Sequence, residues 1–98
     1  MAIKLQELRR YAIEERTEIT VIDSATGNRC QVNSLGQVKI ADEDRGKGIL
    51  IEQVFGAADT FEVRNEGKPR RITAAEMERA VGDLFKSRGV AVIPKDED

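Results

Sequence analysis

Apolar residues recur at helical spacing near both ends of the chain and at strand spacing between them. Leu5, Leu8 and Ala12 fall on one stripe with Met1 in register, which predicts a helix from about Ala2 to Glu15. Its other face is charged: Arg10 and Glu14 stand four apart and Glu7 three before Arg10, so modest ion pairs lace a solvated surface. From Thr17 the period drops to two. Glu18-Ile19-Thr20-Val21-Ile22 is rich in β-branched residues and sets Ile19 and Val21 on the same side of a strand. Turn formers run from Asp23 to Asn28, with Gly27 suited to positive φ, and Cys30 and Val32 then resume the alternation as the second arm of a hairpin. Asn33-Ser34-Leu35-Gly36 repeats the turn chemistry. Val38 and Ile40 extend the meander into a third strand facing the same core.

A polar loop from Ala41 to Gly48 leads into a segment with two competing periods. Ile51, Val54, Phe55 and Ala58 have helical spacing, while Ile49-Leu50-Ile51 resembles a buried strand, and the expectation leans to a strand over Ile49–Val54. Phe61 and Val63 mark a further strand over Thr60–Arg64. The turn at Asn65–Lys68 sends the chain back through Pro69-Arg70-Arg71-Ile72, an edge strand because proline cannot donate to a ladder. Thr73 and Glu76 form a capping box. Met77, Ala80, Val81, Leu84 and Phe85 then hold unbroken helical spacing to Gly89, with Lys86 and Arg88 complementing the helix dipole at its C-terminal end. Val90-Ala91-Val92-Ile93 is apolar on both faces and ends at Pro94, before a charged tail over 95–98 expected to be mobile. The expected architecture is α+β: a small, mainly antiparallel sheet of about four to six strands, with an N-terminal helix and a C-terminal helix over about 73–87 packed on it. Residues 1–94 form one domain in this reading.

Composition narrows the chemistry more than it narrows the role. Leu, Ile, Val and Phe are about a quarter of the 98 residues, enough for a packed core. The net charge is -2, so no large field steers the molecule toward nucleic acid or anionic lipid. A single cysteine, Cys30, forbids an intramolecular disulfide and points to a reducing compartment, with the cytoplasm as the default. The N-terminal sequence has no continuous apolar stretch, so neither a signal peptide nor a membrane association is expected. Without histidine, serine triads, Cys-His dyads and histidine-ligated metals are excluded, and one cysteine rules out a multi-cysteine zinc site within a chain. No catalytic centre, metal or cofactor is expected.

Five features compete for a functional role. Arg45-Gly46-Lys47-Gly48 has glycines and cations able to wrap a phosphate, but it lacks the P-loop spacing and follows Asp42, Glu43 and Asp44. That acidic run in turn lacks the spaced oxygens, glycine and distal glutamate of a calcium loop. Arg64, Lys68, Arg70 and Arg71 crowd one hairpin and would contact phosphates if they converged. Alternation sets Arg70 and Arg71 on opposite sides, no aromatic is interleaved to stack on bases, and edge protection explains the charges as well. Cys30 alternates inward and reads as a structural thiol. Val90, Val92 and Ile93 make a candidate self-association strand, since the second face of an apolar strand needs a cover.

The leading expectation is therefore a non-catalytic protein-interaction or self-associating module, a possible homodimer, using a sheet face or an exposed edge. The alternative is a nucleic-acid-associated accessory protein using the basic hairpin around residues 64–71. An enzyme built on carboxylates such as Asp42 or Glu52 has no supporting constellation in the sequence.

Overall fold

A computed structural model describes residues 3–42, 45–65 and 67–87. In chain order it forms α1 (Leu5–Glu15), β1 (Glu18–Ile22), β2 (Arg29–Val32), β3 (Val38–Ile40), α2 (Ile51–Ala57), β4 (Thr60–Arg64), β5 (Arg70–Thr73) and α3 (Ala74–Ser87). The strands pair antiparallel in the order β3-β2-β1-β4-β5, so β1 is central and β3 and β5 are the two edges. This is the α+β architecture that the patterning predicts.

Cross-strand partners share a face, so the register explains the layering directly. One inward row reads Ile40, Cys30, Val21, Phe61, Ile72, and the next reads Val38, Val32, Ile19, Val63, Arg70. The helices cover these rows: α2 packs on β1 and β2, α1 on β2 and α3, and α3 on β4 and β5. Leu8, Ala12, Val54, Met77, Val81 and Phe85 supply the helix side of the core, and Phe61 and Phe85 are its largest fully buried side chains. Between the inward rows lies an outward one, Lys39, Gln31, Thr20, Glu62, Arg71, which is polar along its length.

Local chemistry sets the ends of the elements. Lys4 is extended and its N–H donates to the Glu7 carboxylate at 2.9 Å, so α1 begins at Leu5, not at Ala2 as the periodicity suggests. Arg16 takes the left-handed conformation (φ 52°) to end it, and the Thr17 N–H returns to the Ala12 carbonyl at 3.0 Å. At α3 the predicted capping box is complete: Glu76 N–H donates to Thr73 Oγ1 at 3.1 Å, and Thr73 N–H to Glu76 Oε1 at 2.7 Å. Gly27 adopts φ +80° in the first hairpin, as its turn requires. Pro69 precedes edge strand β5, again as expected.

The strand expected over Ile49–Val54 is corrected. Residues 51–57 are helical, with Val54 buried and Ile51 and Phe55 packed against the core. The run Ile49-Leu50-Ile51 has strand-like composition, but it does not pair with β3, which is the sheet edge on that side among the described residues. The gap left by α1 over β1 and β2 needs a lid, which the 51, 54, 55, 58 spacing fills. Tertiary context decided between two periods of similar local strength. Gly89, the strand Val90–Ile93 and the tail 95–98 lie outside the described residues.

Candidate functional site

The two edges of the sheet are differently armed. Along β5, Pro69 removes a donor just before the strand, Arg70 and Arg71 are exposed, and Arg71 reaches across to Glu62 at 3.5 Å. Such charges and prolines discourage another strand from pairing. β3 carries one cation, Lys39, flanked by Val38 and Ile40.

The backbone of β3 shows which of its groups face away from β2. Asn33 N–H donates to the Gln37 carbonyl at 3.0 Å, and Ala41 N–H to the Arg29 carbonyl at 3.2 Å. Hydrogen-bonded pairs alternate along an antiparallel ladder, so Gln37, Lys39 and Ala41 turn their polar groups toward β2. The N–H and C=O groups of Val38 and Ile40 therefore point outward from the edge.

Beside that edge runs a groove of about 590 Å³ with an apolar lining of Leu5 from α1, Val38 and Ile40 from β3, and Ile49, Leu50 and Ile51 from the entry to α2. Arg9 and Glu52 complete it. Arg9 Nε donates to the Gly36 carbonyl at 2.7 Å, which fixes its guanidinium near the start of β3. Gly36 has φ +83°, a conformation that favours glycine, and a Cβ there would meet Ile13 Cδ1 at 2.8 Å, so the β2–β3 turn packs closely on the Ile13 side chain of α1. Ile13 (45% exposed) contacts that turn, Leu35 (75%) lies in it, and Leu50 (56%) lines the groove. All of the large exposed apolar residues among those described thus border the β3 side. Near its end, Asp42 lies 3.9 Å from Lys39 and 3.7 Å from Arg45.

The residues singled out from sequence scatter by comparison. Arg71 and Arg64 belong to the outward face, Arg64 opposite Glu18, whereas Arg70 stands opposite Val63 on the helix side. Lys68 and Arg70 border a shallow cleft of about 250 Å³ with Val63 and Asn65. The four cations thus divide between two faces, and the outward face offers Gln, Thr and charged side chains but no aromatic platform. Cys30 is fully buried in an inward row, where burial pushes its thiol up to about 11, so the nucleophilic thiolate is scarce at neutral pH. Burial likewise raises the Tyr11 phenol, with Glu15 adding to the effect and Arg70 opposing it. Gly46 and Gly48 both take positive φ in an exposed loop. Asp42 bonds to cations, Glu43 and Asp44 lie outside the described residues, and no cluster of metal-ligating side chains occurs among the described ones. The proposed self-association residues Val90, Val92 and Ile93 also lie outside the described residues. No helix among the described residues is long and apolar enough to cross a membrane.

The groove itself was not visible in the sequence. Its walls come from three separate segments, and Leu5, Val38 and Ile40 each read there as core positions. The one available signal was Ile49-Leu50-Ile51, three consecutive apolar residues where a one-faced element needs alternation. Searches of protein-family models, curated proteins and solved structures found no match to this chain.

Proposed function

We propose that the protein is a non-catalytic interaction module that takes an extended, largely apolar segment of another polypeptide along the outer edge of β3. The observation that carries this reading is the coincidence of outward N–H and C=O groups on Val38 and Ile40 with an apolar groove immediately beside them. Strand addition uses those two components together: main-chain hydrogen bonds supply affinity, and side-chain pockets at alternate positions supply selectivity. The lack of histidine, the buried thiol and the dispersal of the carboxylates support a binding role over a catalytic one. The single cysteine supports a reducing, cytoplasmic setting. The opposed edge and the divided basic residues give less support to nucleic-acid binding.

Amide chemical shifts titrated with a capped seven-residue peptide alternating Val and Thr test this reading. The Val38 and Ile40 amides are expected to shift and to gain protection from hydrogen exchange, with Leu5 and Ile51 following. Shifts confined to β5 or to the outward sheet face, or none at all, would refute it.

A further inference from the structure

We propose that the cleft beside the turn between β4 and β5 binds a phosphate monoester group through Lys68, Arg70 and Asn65, a site separate from the β3 groove and independent of the reading given for it. The cleft holds about 250 Å³, and among the described residues Val63, Asn65, Lys68 and Arg70 line it without any carboxylate. Val63, 8% exposed, is the cross-strand partner of Arg70, so the arginine leaves the β5 edge on the helix side with the valine as an apolar floor. Glu76 feels the charge of Arg70 and Glu15 acts on the nearby Tyr11, but neither carboxylate lines the cleft.

Edge protection accounts for charge on β5, but not for how these groups are held. Arg71 is matched by Glu62, and Arg10, Lys39 and Arg45 also have acidic partners, whereas Lys68 and Arg70 form no ion pair among the described residues. Asn65 is anchored from below. The hydroxyl of Thr17, 1% exposed, donates to the Arg64 carbonyl at 2.8 Å and lies 2.7 Å from Asn65 Oδ1, so the amide is held by its oxygen and presents its nitrogen. An ammonium, a guanidinium and an amide N–H around one cleft form a set of donors, which suits an anion and offers a cation nothing. Charge then selects among anions. A phosphate monoester carries about -1.5 to -2 near neutral pH and three acceptor oxygens, and so matches Lys68 and Arg70 together better than a singly charged carboxylate or phosphodiester does. The volume lies below the roughly 300–1,000 Å³ of ordinary small-molecule pockets, and no aromatic side chain lines the cleft to stack a base, so a phosphate group is read and a nucleotide is not.

Chemical shifts of the full chain, titrated in turn with inorganic phosphate, a short phosphoserine peptide, the same peptide unphosphorylated and a single-stranded thymidine oligonucleotide, decide the matter. The Asn65 side-chain amide and the Val63 and Arg70 backbone amides should shift with the first two probes and not with the third. Lys68→Gln and Arg70→Gln should each raise the dissociation constant about tenfold, while Arg71→Gln, whose parent side chain is already paired with Glu62, should leave it within about twofold. Unchanged α3 amide shifts confirm that the variants fold. Tighter binding of the phosphopeptide than of inorganic phosphate assigns the group to a phosphorylated side chain, and equal binding assigns it to the free ion. Both outcomes support the site. No shift at Asn65 with millimolar phosphate overturns it, as does an equal response to the unphosphorylated peptide. An oligonucleotide bound as tightly as the phosphopeptide, or a loss in Arg71→Gln as large as in Lys68→Gln, overturns it too, because each describes a diffuse polyanion surface. The β3 reading is decided separately by its Val-Thr peptide.

Discussion

Among the described residues β3 and β5 terminate the same sheet at equal distance from its centre, yet one is more heavily defended than the other. β5 begins after Pro69, displays Arg70 and Arg71, and is flanked by α3 with its N-terminal capping box complete. β3 is three residues long, has one lysine between two β-branched residues, and borders an apolar groove that the helix layer does not fill. Both edges carry protection, a proline and two arginines on β5 against short length and a single lysine on β3, so the difference between them is one of degree. A small domain buries a modest fraction of its surface, and an open edge is one place where a partner adds stability to it.

The largest perturbation tests whether the two edges depend on one centre. Phe61 is fully buried between the Val21 and Ile72 positions, linking the β3 side of the sheet to the β5 side. Phe61→Ala is expected to cost about 3–5 kcal/mol, a large share of the roughly 5–15 kcal/mol available to a domain of this size. Urea denaturation should show one cooperative transition with a lowered midpoint. Separate transitions, with β5 and α3 melting apart from β3, would show that the edges belong to independent units.

A smaller change acts on the β5 side alone. Thr73→Ala removes the acceptor for the Glu76 N–H and should destabilise the fold by about 1 kcal/mol, with α3 amides exchanging faster than those of β2 and β3. The same cap predicts a pH dependence. Hydrogen bonds from Thr73, the backbone N–H first, hold the Glu76 carboxyl below its ordinary value of 4.5. A depressed carboxyl stabilises the fold above its unfolded value, and that contribution fades as pH falls through the folded one. Protection of the first turn of α3 should therefore weaken from about pH 5 downward in the parent and in Thr73→Ala, which keeps the backbone donor, but not in Glu76→Gln, which has no carboxyl to protonate. Equal pH profiles for the parent and Glu76→Gln would show that the cap does not govern this end of the molecule.

The contrast between the edges also explains what the sequence revealed. Elements fixed by local chemistry were legible: Thr73 and Glu76 started α3, Gly27 turned the first hairpin, and the alternation of Ile19, Val21, Phe61 and Val63 gave the inward face. Pro69 even identified β5 as an edge. What escaped depended on distant packing. Residues 49–57 offered both periods, and the space above β1 and β2 chose the helix. The groove needed Leu5, Val38, Ile40 and Ile51, drawn from segments far apart in the chain, to be half-covered together instead of fully buried. Hydrophobic periodicity reports which side of an element faces inward, but it does not report whether the layer above closes.

The finest test exchanges the guards. Lys39→Val removes the only charge on β3 and should leave monomer stability within about 0.5 kcal/mol, since Lys39 is exposed and its contact with Asp42 is a long surface pair. It should nevertheless promote association, because a β-branched residue replaces a cation on the less heavily guarded edge. Arg71→Val is the matched change on the other side. It breaks the exposed pair with Glu62 at a similarly small cost, while Pro69 and Arg70 remain in place, so sedimentation should not change. If Arg71→Val promotes association as strongly as Lys39→Val, the difference between the edges is one of charge alone. If only Lys39→Val does so, the groove beside β3 is what converts an open edge into a docking surface.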